Sequence, residues 1–267
     1  MAKARAADCD AVILDLEDAV APEEKVAARE AAIAAVREGG FGERLVIIRV
    51  NGANTEWGAD DIGSMAQAAP GAVLLPKVDD AAALEAARAG LPDSIALWAM
   101  IETCTAFGNL RSLGEASARS GTTCWVMGTN DLALEMRCSL EGERQAVLPL
   151  LTSAICMARA HGLAILDGVF NDLSDEDGLA AECAQGRRLG FDGKTVIHPK
   201  QLAAANAAFG PSDAEIARAR AVNQAFAAPE NAGKGVLKVD GRMVELLHLR
   251  EAERTLAMAE AIARRAG

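Results

Sequence analysis

Seven short apolar runs punctuate the first two hundred residues, and alanine-rich stretches separate them. The runs are AVILDLED (11–18), LVIIRVN (45–51), AVLLPK (72–77), IALWAMIE (95–102), TCWVMGTND (123–131), LAILDGV (163–169) and TVIHP (195–199). Strands that are apolar throughout bury both faces, as in a parallel sheet wrapped by helices. Intervening segments such as EEKVAAREAAIAAVREGG and DDAAALEAARAG place Ala, Glu and Arg at helical spacing, open on acidic residues and close on Gly, as amphipathic helices do. Alternation of this kind leaves two architectures, a closed barrel or a doubly wound open sheet.

The polar residues choose between them. Each run ends on chemistry: Asp15, Glu17 and Asp18; Arg49 and Asn51; Lys77; Glu102; Asn130 and Asp131; Asp167; His198. A barrel collects the C-terminal ends of all its strands into one mouth, whereas an open sheet concentrates its ligand at a switch point. No GxGxxG or GxxxxGK[ST] follows any run, so the nucleotide-binding open sheet lacks its best marker. The expected fold is a TIM (β/α)8-type barrel. Only seven runs are present, and the chain opens in a helix preceding the first, so the barrel is expected to lack its first strand. After residue 200 the pattern changes to a Ser-capped helix (PSDAEIARARAVNQAFAAPE), an extended pair around a DG turn (GKGVLKVDGRMVE) and a closing helix over 248–265,. The expected division is a barrel over 1–210 and a helical and extended appendage over 211–267.

Charge and composition exclude several functions. The chain carries 27 Lys+Arg against 38 Asp+Glu, a formal charge of −11. That balance argues against nucleic acid or an anionic membrane as the partner. An anionic substrate is still admitted, because one Arg or a bound cation reverses the field inside a cleft. The six cysteines form no CxxC, MAKARAAD lacks the apolar core of a signal peptide, and AVLPLLTSAICMA (146–158) is too short and too interrupted to span a bilayer,. A cytoplasmic, reducing setting is the expectation.

Glu102 and Asp131 end two successive runs, one βα unit apart. Adjacent strand ends bring two carboxylates within reach of one ion, and two carboxylates with waters and substrate oxygens suit Mg²⁺. Each has a plainer alternative, capping the helix that follows. Arg49, a charge after four apolar residues, admits pairing with Asp15 or Asp18, clamping a substrate carboxylate, or both, since it offers five donors. In LDLED, strict alternation puts Asp15 and Glu17 on one face and Asp18 on the other. The rule loosens at a strand end and does not say which carboxylate faces the mouth. The three histidines make no zinc set. No GxSxG elbow is present for nucleophilic hydrolysis. Lys77, among acidic strand ends, suits a protonated ion-pair partner better than a Schiff base.

ILDLEDAVAPEEK, IIRVNG, LLPKV, MIET, GTNDL, LGFDGKTVIHPKQ and VDGRMVE occur in this order from near the start to the end of the chain. Together they resemble the citrate lyase β-subunit and malyl-CoA lyase group of the HpcH/HpaI aldolase superfamily. The resemblance implies an eight-stranded barrel, Mg²⁺ and reversible carbon–carbon cleavage of 3-hydroxyacyl-CoA thioesters to acyl-CoA and a 2-oxo acid, glyoxylate or oxaloacetate. It makes Glu102 and Asp131 the Mg²⁺ ligands, Arg49 the group facing the substrate carboxylate or carbonyl oxygen, and Asp18 an orienting carboxylate. It also makes Glu245 an acid/base contributed by a neighbouring subunit of a homo-oligomer, expected to be a trimer. Two departures stand out. An opening LFVPG-like strand is missing, as expected of a truncated chain or a mis-set start. Glu245 stands where many relatives carry Asp. The alternatives are a lyase subunit acting on an acyl carrier protein inside a citrate lyase complex, a free pyruvate-type aldolase, and a non-catalytic barrel. The aldolase reading is weakened because no His precedes His161, and the last by the intact Glu102, Asp131 and Arg49.

Overall fold

The computed structural model describes residues 2–266. The chain divides into two compact units, between Ala205 and Asn206. The first holds seven parallel strands in strictly sequential order: β1 (Ala11–Asp15), β2 (Leu45–Arg49), β3 (Ala72–Leu75), β4 (Ala96–Ile101), β5 (Thr122–Met127), β6 (Ala164–Asp167) and β7 (Gly193–Lys194). The sheet curls into a half-barrel of the TIM type, and among the described residues β1 and β7 do not pair with each other. Period two separates the faces. Ile47, Ala72, Leu74, Met100, Cys124 and Val126 form one buried cluster with Ile13, Trp98 and Leu166 packed on it. The alternate residues Ile48, Val73, Leu97, Trp125 and Ile165 are buried as well. Burial on both faces is why these strands read as continuous apolar runs.

Helices connect the strands and end where the sequence provides. Lys25–Glu38 stops at Gly39 with φ 70°, and Glu176–Leu189 starts on the Asp175 cap and stops at Gly190 with φ 108°, a left-handed geometry that glycine adopts without strain.

The last run is a correction. TVIHP was expected to be a strand, but β7 is Gly193–Lys194, just upstream. Thr195 ends the pairing by donating both its N–H and its hydroxyl to the carbonyl of Asp167, each at 3.0 Å. The Ile197 N–H then turns to the Gln201 side chain, and His198 caps the short turn Pro199–Gln201 with its Nδ1.

Beyond β6, a buried ion cluster holds the strand ends. Arg144 Nη1 lies 2.8 Å from Asp167 Oδ1, Arg144 Nε 3.3 Å from Glu182 Oε2, and Lys194 Nζ 2.6 Å from Glu182 Oε1 and 3.6 Å from Asp167 Oδ2. Removing one partner of such a set strands a charge in low dielectric. Arg144→Met is therefore expected to lose about 3–5 kcal/mol in urea unfolding, and Arg144→Met with Asp167→Leu distinctly less. A double variant as unstable as the single one would count against this account.

The second unit contains helix Asp213–Ala227, hairpin strands β8 (Val236–Val239) and β9 (Arg242–Glu245), and helix Leu246–Ala266. Ser212 and Glu215 form a capping box at the first helix,. Asp240 and Gly241, at φ 48° and 77°, make the hairpin turn, as the DG pair predicts. Ala219, Val222, Leu237, Val244 and Ala252 form its core, while Val236, Met243, Leu246 and Leu247 are exposed. Among the described residues no helix is long and apolar enough to cross a membrane.

Candidate active site

Parallel pairing in register sets Asp15 beside Arg49 at the C-terminal ends of β1 and β2. Arg49 grips Asp15 with two prongs, Nε to Oδ1 and Nη2 to Oδ2, both 2.6 Å. Its Nη1 reaches Glu17 Oε2 at 2.9 Å and Asp18 Oδ2 at 3.4 Å. All three carboxylates of LDLED therefore meet one guanidinium. Alternation lapses because β1 stops at Asp15, whose carboxylate accepts the N–H groups of Glu17 and Ala19 and turns the chain over the strand end. Burial would raise the Asp15 carboxyl, but the hydrogen bonds and charge of Arg49 outweigh it and hold the group below its usual range. Burial pushes the Glu17 carboxyl up despite its bonds to Lys77 and Arg49.

Lys77 follows Pro76 beyond β3 in a left-handed backbone conformation, φ 49°. Its ammonium lies 2.7 Å from Glu17 Oε1, 3.3 Å from Asp131 Oδ2 and 3.6 Å from Asp18 Oδ1. Burial would lower its pKa, but Glu17, Asp18 and Asp131 together raise it, so the group stays charged. Lys77, read from the sequence as a protonated ion-pair partner, and Glu17, which was given no role there, both stand at the centre of this site.

Glu102 follows β4, and its side chain is buried. Its Oε1 accepts the Lys77 backbone N–H at 2.8 Å. The other oxygen lies against Gly128, where any Cβ would collide with it. The helix after Glu102 is capped by Thr103, which accepts the Ala106 N–H at 3.0 Å, so Glu102 is free of that duty. Burial, helped by the charges of Asp131 and Glu17 and opposed by the Lys77 N–H, pushes the Glu102 carboxyl up to about 7. Asp131 stands in the first turn of helix Thr129–Met136, where the dipole favours a carboxylate, and is about one-third exposed.

The pair fits a hard divalent ion. Both groups present carboxylate oxygens beyond neighbouring strands, and the charges of Asp131 and Glu17 act on Glu102, a field that favours a bound cation. Among the described residues no group of three or more His, Cys, Asp or Glu side chains is arranged to hold a metal ion. Two carboxylates could hold such an ion with waters and substrate oxygens completing its shell.

The histidines take structural posts: His161 caps a helix end, and His248 Nδ1 accepts the Glu245 N–H at 3.0 Å inside the second unit. Glu245, the last residue of β9, is half-buried there. Asn130, beside Asp131, exchanges hydrogen bonds with Asn171 at 3.1 and 2.8 Å. Asn171 in turn lines a cavity of about 550 Å³ with Leu140, Val169, Phe170 and Gln185.

A family model described as HpcH/HpaI aldolase/citrate lyase matches residues 1–199, and one for a carbon–carbon bond lyase of the TIM-barrel fold matches 144–263. The chain belongs to the HpcH/HpaI aldolase/citrate lyase family. It is 50% identical over 261 residues to a (3S)-malyl-CoA thioesterase of Cereibacter sphaeroides, covering 98% of this chain and 90% of that protein. It is 31% identical to an L-malyl-CoA/beta-methylmalyl-CoA lyase of the same species, over 97% and 90% of the two chains. CitE of Mycobacterium tuberculosis, solved with magnesium, acetoacetate and coenzyme A, superimposes with a TM-score of 0.78 at 29% identity, over 97% of this chain and 93% of that one. The strand-end carboxylates and Arg49 thus sit on a family fold of CoA-ester lyases, one of whose members has been solved with magnesium.

Proposed function

We propose that this family member is a Mg²⁺-dependent enzyme of 3-hydroxyacyl-CoA thioesters such as malyl-CoA or citryl-CoA, cleaving or forming the bond between the acyl-CoA and the 2-oxo acid, glyoxylate or oxaloacetate. The observation that carries this reading is the mouth itself: a two-carboxylate pair, Glu102 and Asp131, beside the fixed guanidinium of Arg49. Glu102 and Asp131 would hold the ion, which when bound supplies Lewis-acid polarisation of a carbonyl oxygen. Arg49, locked in orientation by Asp15, presents fixed positive charge to a substrate carboxylate or a developing oxyanion without reorganising. Asp18, the most exposed of the three carboxylates on Arg49, orients the substrate. Glu245 of a neighbouring subunit holds or delivers the proton at the enolate carbon. The cavity walled by Phe170 and Val169 gives the thioester arm room.

Thioester hydrolysis is the second reading, favoured by the 50% identity to a malyl-CoA thioesterase. One experiment separates them. Malyl-CoA and citryl-CoA are incubated with the protein, with and without Mg²⁺, and both free thiol and 2-oxo acid are followed. Carbon–carbon cleavage releases glyoxylate or oxaloacetate and no thiol. Hydrolysis releases CoA thiol and no 2-oxo acid. Neither product with any of these thioesters defeats both readings.

The Glu102 carboxyl gives the metal a pH dependence. Below about 7 the metal-free protein carries a proton there that the ion must expel. Mg²⁺ affinity is therefore expected to fall about tenfold per pH unit below that point and to level off above it. Calorimetry in buffers of different ionisation enthalpy checks this, since about one proton should leave per ion in the acidic range. Affinity that does not change between about pH 6 and about pH 8 would contradict Glu102 as a ligand.

A further inference from the structure

We infer that the Lys77 ammonium is a resident counter-cation of the acidic mouth, which ties Asp131 to Glu17 in the metal-free protein and releases Asp131 when the divalent ion binds. This rests on the reading that Glu102 and Asp131 hold that ion.

Lys77 addresses both members of the proposed metal pair through different atoms. Its backbone N–H meets Glu102 Oε1 at 2.8 Å, and its Nζ meets Asp131 Oδ2 at 3.3 Å. The positive φ of 49° following Pro76 lets one residue do both, and it is a conformation that a non-glycine residue rarely takes,. The same ammonium spends its remaining reach on Glu17 Oε1 at 2.7 Å and Asp18 Oδ1 at 3.6 Å. Three carboxylates on one ammonium match its three donors.

Charge shows why such a cation is needed and why it must yield. Asp15, Glu17, Asp18, Glu102 and Asp131 converge on a region whose ion-paired cations are Arg49 and Lys77. Without the ammonium, Asp131 would lose the ion pair that offsets its charge near Glu102. An ion bound to Asp131 supplies that charge itself and repels the ammonium from the same carboxylate. Lys77 has somewhere to go: its side chain is 44% exposed, on a flexible four-carbon stem, and Glu17 and Asp18 keep hold of it. Arg49 cannot take this part, because Asp15 fixes its fork.

The test is a Mg²⁺ titration by calorimetry at about pH 8, where Glu102 has shed its proton, on wild type, Lys77→Met, Lys77→Arg and Lys77→Gly. Thermal melts with and without Mg²⁺ accompany it. Removing the competing charge in Lys77→Met should tighten Mg²⁺ binding by about threefold, the size of a partly exposed charge contact. The metal-free melting temperature should fall, and saturating Mg²⁺ should close most of that gap. Lys77→Arg, which keeps the charge, should bind Mg²⁺ as wild type does. Lys77→Gly keeps the N–H on Glu102 and accepts positive φ, so it should show the same tightening. Unchanged or weaker Mg²⁺ binding in both uncharged variants, or a melting gap that Mg²⁺ leaves intact, overturns the inference. Tightening in Lys77→Met alone would trace to the new side chain and overturn it too. Wild type that binds no Mg²⁺ at all sinks the metal reading itself, a result distinct from equal binding by wild type and variants.

Discussion

Arg49→Lys should fold and lose about two to three orders of magnitude in kcat/KM, the loss typical of removing a preorganised oxyanion donor. The present grip is geometric. Nε and Nη2 occupy both oxygens of Asp15 at 2.6 Å, which fixes the guanidinium plane and aims Nη1 over Glu17, Asp18 and Met100. A lysine ammonium is a compact point charge on a flexible stem. It satisfies Asp15 or turns to the substrate, and it does neither with two parallel bonds. The side chain is largely buried, so retaining a positive charge there keeps Asp15 compensated and the melting temperature close to wild type. Mg²⁺ affinity should change little, since Arg49 pairs with Asp15, Glu17 and Asp18 rather than with Glu102 or Asp131. Steady-state rates on malyl-CoA, with calorimetry and thermal melts on the same preparation, separate these outcomes. Rates near wild type would make Arg49 a structural residue that braces the ends of β1 and β2 and nothing more.

The strand order and the position of the mouth were legible because they rest on local patterns. A parallel sheet buried on both faces must be written in unbroken apolar runs, and Arg49, Glu102 and Asp131 were visible as charges interrupting or ending such runs. What escaped depends on backbone departures that no period encodes. Glu17 and Asp18 reach the same guanidinium only because Asp15 captures the N–H groups of Glu17 and Ala19 and folds the chain back. Lys77 enters the site through one left-handed residue after Pro76. Arg144, buried and bonded to Asp167, lies in a loop whose composition, EGERQ, reads as solvated. β7 was misplaced by two residues because Thr195–Pro199 has the β-branched composition of a strand, while its hydrogen bonds go to Asp167 and Gln201. In each case a particular hydrogen bond, ion pair or backbone turn overrides the periodic signal.

Glu245 puts a shared active site to an experiment that one chain alone cannot perform. It closes β9 in a unit whose hairpin and following helix expose Val236, Met243, Leu246 and Leu247, while the strand-end region of the first unit exposes Leu134, Leu173 and Ile197. Apolar side chains bared on both units suit association, and a neighbouring hairpin seated over each mouth would cover them and deliver Glu245. The plainer reading is a solvated carboxylate held at a helix start by the dipole. If the site is shared within a trimer, Glu245→Gln and Glu102→Gln subunits are each inactive alone, yet co-expression restores turnover. Half of the barrels in a random mixture keep Glu102, and half of those meet a neighbour with Glu245. Activity should therefore return to about a quarter of wild type per subunit. Native mass spectrometry confirms that mixed oligomers have formed. Mixed oligomers without activity would place Glu245 in its own subunit's chemistry, since no chain would then carry both intact groups. A fully active Glu245→Gln homo-oligomer would remove the residue from the reaction and leave proton transfer to water or to Asp18, whose carboxylate already lies 3.4 Å from Arg49 Nη1.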